Sequence, residues 1–196
     1  MNREERLEKI YDKALEMFVA KGYDQTALSQ IAKELGLTKA GLYHYFSSKE
    51  DLLFFVHERH MNQVFNPILE AAQKISDPEE RIVYFIRNYT LKAMTRDASA
   101  RVLVHETNNL KTENRKKITL CWRNGLDLIR STLSEMEVQG KIEKINKNFA
   151  AFALLGMCSW TFYWFDYERQ ESAEELADTY VRVFLKGVLK ASRKMA

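Results

Sequence analysis

Seven glycines and two prolines in 196 residues leave little material for a many-stranded sheet, whose turns draw on both, and favour long helices with short connections. An all-α chain is expected. There are two cysteines, Cys121 and Cys158, with no Cys-x-x-Cys pair and no second ligand near either. Both read as buried free thiols within apolar helical patterns. An excess of one charge is missing too. The net charge is +3, and residues 1–52 carry eight Lys and Arg against nine Asp and Glu, so a nucleic-acid partner would have to be recognised by the placement of a few groups rather than by a basic patch. No nucleophile elbow, glycine-rich phosphate loop or complete metal-ligand set occurs, so an enzyme is not expected. The charged start, Met1 to Arg6, lacks the apolar core of a signal peptide and predicts a cytoplasmic protein. The one charge-free run, Phe149 to Phe165, falls short of the roughly 20 apolar residues of a membrane span. A helix buried on every side is expected there, with no membrane partner.

What is present is a 46% hydrophobic fraction, enough for a real core, arranged at helical spacing. Leu7, Ile10, Tyr11, Ala14 and Phe18 make one stripe, closed by Gly22. Leu28, Ile31, Ala32 and Leu35 follow at i, i+3, i+4, i+7, and Gly36 ends them. Thr38 can then cap another short helix within Leu37 to Phe46. On it Leu42 and Phe46 share one side, while Lys39, Ala40, Tyr43 and His44 project elsewhere. Two short helices joined by a tight glycine turn make a helix-turn-helix, which lays its second helix in a DNA major groove. A small residue, a cation, a phenol and an imidazole suit base edges and phosphates. Ser47, with Glu50 three residues on, reads as a capping box for a fourth helix. Lys49 in its first turn is unfavourable to the helix dipole and asks for a nearby anion.

Thr26, Ile31-Ala32, Gly36-Leu37-Thr38-Lys39-Ala40-Gly41-Leu42-Tyr43-His44-Tyr45-Phe46 and Lys49 resemble the DNA-binding domain of the TetR family of bacterial transcriptional regulators. Ala40-Gly41 departs mildly from the family pattern. The resemblance implies a DNA-contacting set of Thr26, Thr38, Lys39, Ala40, Tyr43, His44 and Lys49, with Thr26 starting the second helix either as a phosphate ligand or as a plain cap. It also implies a three-helix helix-turn-helix domain over residues 1–48, continuous through a helix with a larger ligand-binding and dimerisation domain over 49–196, about nine helices in all.

Beyond Lys49, apolar positions Leu52, Phe55, Val56, Val64, Phe65 and Ile68 extend the fourth helix, with a kink at Pro67. Asp77-Pro78-Glu79-Glu80 is a helix start, followed by Ile82, Phe85, Ile86 and Tyr89. A shorter segment around Ala100 to Leu110 has Leu103 and Leu110 on its apolar side, and Ile118, Trp122, Gly125, Leu126, Ile129, Leu133 and Met136 keep one long face apolar to near Gly140. The last helix carries Leu176, Tyr180, Val183, Phe184, Gly187 and Val188. In a TetR-like chain this helix and the charge-free one form a homodimer interface, here Gly156, Phe162, Tyr180, Phe184 and Gly187, and the dimer reads a palindromic operator on double-stranded DNA. Such a protein is usually a repressor released by an apolar small molecule. Phe85, Tyr89, Trp122, Arg123, Phe152, Met157, Trp160, Tyr163 and Trp164 are the ligand-lining candidates, although an apolar core uses the same residue types. Ala153 to Trp160, Trp164 and Ser172 to Ala177 are loosely similar to the subset sensing fatty acyl-CoA, and Arg115, Lys116, Lys117 and Arg123 could meet a CoA phosphate. No resident cofactor is implied, only an effector. Two alternatives stay open: a metal-responsive regulator using His57 and His60 with His105 and Glu106, and a helical protein-interaction adaptor without DNA binding.

Overall fold

Asn2 starts the first helix. Its side chain accepts the Glu5 N–H at 2.8 Å while Glu5 Oε2 accepts the Asn2 N–H at 3.0 Å, which satisfies two otherwise orphaned donors. The computed structural model describes residues 2–93, 106–164 and 172–188. Their elements are α1 (Arg3–Lys21), α2 (Leu28–Glu34), α3 (Lys39–Tyr43), α4 (Lys49–His60), a π-helical turn (Met61–Phe65), α5 (Asn66–Gln73), α6 (Pro78–Ala93), a 3-10 turn (Thr107–Asn109), α7 (Thr112–Val138), α8 (Lys147–Trp164) and α9 (Ala173–Val188). Every regular element among the described residues is helical, as the scarcity of glycine and proline requires. Leu103 and His105 lie outside the described residues.

The chain groups into two compact units, residues 1–63 with 96–119 and residues 64–95 with 120–196. In the first, α1 buries Ile10, Tyr11, Ala14, Leu15, Met17 and Phe18, and Leu28, Ile31, Leu42, Leu52, Leu53 and Val56 supply the buried sides of α2, α3 and α4. Gly22 and Gly36, at φ 83° and 65°, adopt the left-handed backbone that closes α1 and α2. The predicted fourth helix is three pieces: α4, the π turn and α5. The passage from the first unit to the second falls inside the π turn. Pro67 lies just after it and has no N–H to donate to the preceding turn.

In the second unit Asp77 caps α6 as expected, its Oδ1 accepting the N–H of Glu79 and Glu80, both at 2.9 Å. Arg81 is buried and tied to the Ile75 carbonyl at 3.0 Å and to Glu135 at 2.7 Å. Phe65 is the centre of the aromatic core. Its ring lies 4.7 Å from that of Trp122, 5.4 Å from Tyr89 and 6.5 Å from Phe85. Gly125 on α7 makes room for it, since a Cβ there would sit 2.6 Å from Phe65 Cζ.

On α8, Ala151, Leu154, Leu155, Cys158 and Thr161 are buried, whereas Phe149, Phe152 and Trp160 are 72%, 60% and 61% exposed. Ala153 and Gly156 share the exposed side. The expectation of a helix buried all round is therefore corrected for the single chain: α8 is two-faced, with large aromatics on its open side. No helix among the described residues is long and apolar enough to cross a membrane.

The Phe65 and Gly125 contact is open to test. Alanine in a helix normally gains about 1 kcal/mol over glycine. Gly125→Ala should instead cost about 1–3 kcal/mol in chemical denaturation, because the ring of Phe65 has no space to retreat. The smaller side chain of Phe65→Leu in the same background should recover part of the loss.

Candidate nucleic-acid interface

The reading helix is five residues long, well below the length at which a helix is stable alone. Its order comes from three local devices. Thr38 caps it, Oγ1 accepting the Gly41 N–H at 3.0 Å. Leu42 is fully buried beneath it. After α3, the N–H groups of Tyr45 and Phe46 return to the Leu42 carbonyl at 2.9 and 3.1 Å, so the turn continues to Phe46, whose buried ring packs 5.1 Å from that of Phe55 on α4. Gly41 belongs to the same arrangement, because a Cβ there would lie 3.2 Å from the capping hydroxyl of Thr38.

This backing leaves Thr38, Lys39, Ala40, Tyr43 and His44 exposed together. The Lys39 ammonium sits 5.6 Å from the centre of the Tyr43 ring, a cation–π pair. The His44 ring meets Tyr45 edge-on at 5.5 Å. A cation, a phenol, an imidazole and a methyl thus share one surface, which suits phosphates and base edges.

Two expected members of the set have internal tasks. Thr26 is 1% exposed, its hydroxyl donating to the Gly22 carbonyl at 2.8 Å. Nor is it the cap of α2: that is Ala27, whose N–H is taken by Gln30 at 2.9 Å. The Thr26 hydroxyl therefore ties the end of α1 to the start of α2 instead of facing a phosphate. Lys49 finds its negative partners within the chain. Its ammonium donates to the carbonyls of Tyr23 at 3.0 Å and Asp24 at 3.2 Å and lies 4.2 Å from the centre of the Tyr23 ring. Burial, followed by the charges of Glu50 and Asp24, pushes the Tyr23 phenol up to about 12.

The cap of α4 is Ser48 rather than Ser47, with Oγ accepting the Asp51 N–H at 3.0 Å, while the Ser47 hydroxyl donates to the Asp51 carboxylate. Glu50 is consequently free of the predicted capping box and turns to α7. Its Oε1 accepts the Lys111 N–H at 2.9 Å and the Asn114 side-chain amide at 3.0 Å. The Lys111 ammonium stands 3.2 Å from Oε2, an ion pair set off the hydrogen-bonding direction. Burial raises the Glu50 pKa, but the bonds from Asn114 and Lys111 outweigh it and hold the carboxyl below its ordinary 4.5. Sequence pattern missed this contact because Lys111 and Asn114 lie more than sixty positions from Glu50.

The ligand-lining candidates separate. Phe85 and Tyr89 are buried with Phe65, which sequence alone did not single out. Trp122 and Met157 are half-buried and Arg123 is exposed. Phe152 and Trp160 lie on the open side of α8 with Gly156. Phe184 is corrected the other way: it is buried within its own unit, while Val183 and Gly187 stay exposed. Tyr180 is half-buried, its hydroxyl 3.1 Å from that of Thr161. Phe162, Tyr163 and Trp164 occur in the last turns of α8, with their side chains outside the described residues. Of the metal candidates, His57 and His60 are buried, and His57 has Nδ1 2.9 Å from the Leu53 carbonyl and Nε2 3.4 Å from the Thr107 hydroxyl.

Two family models match the sequence: bacterial regulatory proteins of the tetR family over residues 10–55, and the tetracyclin repressor-like C-terminal domain over 76–188. The chain is 27% identical over 137 residues to the fatty acid metabolism regulator protein of Bacillus subtilis (strain 168), a match spanning 69% of this chain and 70% of that one. It is 32% identical over 80 residues to the transcriptional activator FasR of Mycolicibacterium smegmatis, covering 41% of this chain and only 36% of the relative. Among solved structures, AibR in complex with isovaleryl coenzyme A and operator DNA is similar with a TM-score of 0.85 and 29% identity, covering 91% of this chain and 97% of that one.

Two expectations follow for the head. Lys49→Met removes two bonds and a cation–π contact and should lower its stability by about 1–2 kcal/mol in urea unfolding, with Lys49→Arg intermediate. Since the folded Glu50 carboxyl titrates below its unfolded value, its contribution is fully present above pH 4.5 and is lost as pH falls further. Thermal unfolding from pH 7 downward should therefore show a smaller acid loss in Glu50→Gln than in wild type.

Proposed function

The chain belongs to the TetR family of bacterial regulatory proteins, DNA-binding transcriptional regulators rather than enzymes, and from that premise we propose that it is a repressor that binds a palindromic operator as a homodimer and is released by an apolar small molecule. The observation that carries the DNA reading is the exposed group of Lys39, Ala40, Tyr43 and His44 above the buried Leu42. The dimer reading is supported by the open aromatic side of α8, too large an apolar surface to leave in water. Pairing two chains there would repeat α3 at a spacing of about 34–36 Å, one turn of DNA. In this reading Lys49 and Thr26 act by holding α4 and α2 in place behind α3, and Thr38, Lys39, Tyr43 and His44 meet the DNA.

The effector is a fatty acyl-CoA or a related CoA thioester. Support comes from the relatives, one named for fatty acid metabolism and one crystallised with isovaleryl coenzyme A, and from the aromatic cluster of Phe65, Phe85, Tyr89 and Trp122, which an acyl chain could enter by displacing a ring. Exposed Arg123 on α7, in the same compact unit, is available to a CoA phosphate. A coupling of about 1–3 kcal/mol between effector and operator would lower DNA affinity 5- to 150-fold.

A gel shift with the neighbouring intergenic DNA at several salt concentrations tests the assignment. Tyr43→Ala and Lys39→Ala, both at exposed positions, should keep the wild-type fold by circular dichroism and weaken binding about tenfold or more. Lys39→Ala should also reduce the salt slope by about one. Wild-type affinity in both variants would sink the site. Titration with CoA thioesters of increasing chain length should release the DNA, and no release by any of them would remove the acyl-CoA effector while leaving the DNA reading intact.

A further inference from the structure

Glu50 lies next to Lys49, and its hydrogen bonds run to the start of α7. Its side chain is only 11% exposed. Its bonds go to Lys111, which immediately precedes α7, and to Asn114 in the first turn of that helix. A carboxylate at the amino end of a helix meets both unsatisfied N–H groups and the positive end of the dipole. Glu50 is therefore a cap for α7 supplied by another helix. On the other side of the same turn of α4, Lys49 holds the carbonyls of Tyr23 and Asp24, in the loop that leads to α2. Only Ser47 and Ser48 separate this turn from Phe46 at the end of α3. One helical turn thus fastens the start of α7, the approach to α2 and the end of α3, all within the first compact unit.

We infer that Glu50 is a positioning residue for DNA reading: by capping α7 through Lys111 and Asn114 it fixes the first turn of α4, and with it the orientation in which α3 presents Lys39, Tyr43 and His44. The inference rests on the DNA-reading role proposed above.

The sign of the effect separates this role from simple electrostatics. Removing a carboxylate from a DNA-binding head should by charge alone strengthen binding to every DNA, and to the same extent in Glu50→Ala and Glu50→Gln. A latch predicts that the two differ, because glutamine keeps an oxygen able to accept the Lys111 N–H and the Asn114 amide and alanine does not. Affinities of the full chain for a selected operator and for a random duplex of equal length, measured by fluorescence anisotropy below the melting range of every variant, make the test. Glu50→Ala and the charge-neutral Asn114→Ala should each weaken operator binding about tenfold while leaving random-duplex binding equal to or tighter than wild type, and Glu50→Gln should stay within threefold of wild type on the operator. Hydrogen exchange at residues 40–46 should quicken in the two alanine variants and not in the glutamine one. Equal operator affinities for Glu50→Ala and Glu50→Gln, an unchanged Asn114→Ala, or parallel losses on both duplexes would overturn the latch while the DNA-reading role stood. A wild-type chain that binds neither duplex would overturn both.

Discussion

A helix of five residues cannot hold itself together, and the first compact unit is arranged around that constraint. Thr38 supplies the cap, Leu42 and Phe46 the buried anchor, and the first turn of α4 the fixed wall behind. What remains outward is a small polar and aromatic surface with a single lysine. Few residues of α3 are free to choose bases, because it is only five residues long and Leu42 is spent on anchoring it. The physical consequence is a reader of low information content, for which specificity has to be assembled from more than one copy.

The two-faced α8 offers a means of assembly. Its inner side is committed to the second unit through Ala151, Leu154, Leu155 and Cys158, while Phe149, Phe152 and Trp160 stand in water. Gly156 sits on that open side, and a Cβ there would touch nothing within 4 Å, so a close helix from another chain meets no obstacle at this point. The burial of Phe184 and the exposure of Val183 and Gly187 likewise divide α9 into an inner and an outer side. Membership of the TetR family and the open face of α8 both support the proposed pairing of two chains.

Much of this was legible in the sequence. Glycine stops at Gly22 and Gly36, the Asp77-Pro78 start and the apolar stripes of α1, α2, α6 and α7 are local signals, and each corresponds to an element of the fold. The exposed group on α3 was legible for the same reason, since a short helix with Leu42 and Phe46 inward leaves few choices. Contacts distant in sequence were not. Serine at both positions 47 and 48 made the cap of α4 ambiguous by one residue, and that shift released Glu50 for a bond more than sixty residues away. Thr26 was placed by family resemblance at the start of the second helix, as phosphate ligand or cap, whereas the close return of the chain at Gly22 buried it. Phe152 and Trp160 were expected to line a ligand cavity from their place on the charge-free helix in a TetR-like chain, and the fold sets them on the exposed side of α8 with Gly156. The scarcity of glycine was informative here too, for Gly125 marks the one place on α7 where Phe65 needs the volume of a side chain.

In the proposed dimer, α3 reads DNA usefully only in pairs set by the face of Phe152, Gly156 and Trp160. The most direct measurement of this pairing is the affinity of the wild-type chain for a full operator against a duplex carrying one half-site of the same length, repeated with Phe152→Ser combined with Trp160→Ser. Wild type should sediment as a dimer at equilibrium and prefer the full operator by about a hundredfold or more, and the double variant should be a folded monomer with a much smaller preference. Equal wild-type affinity for the full and half sites, or a monomeric double variant that retains the wild-type preference, would contradict it.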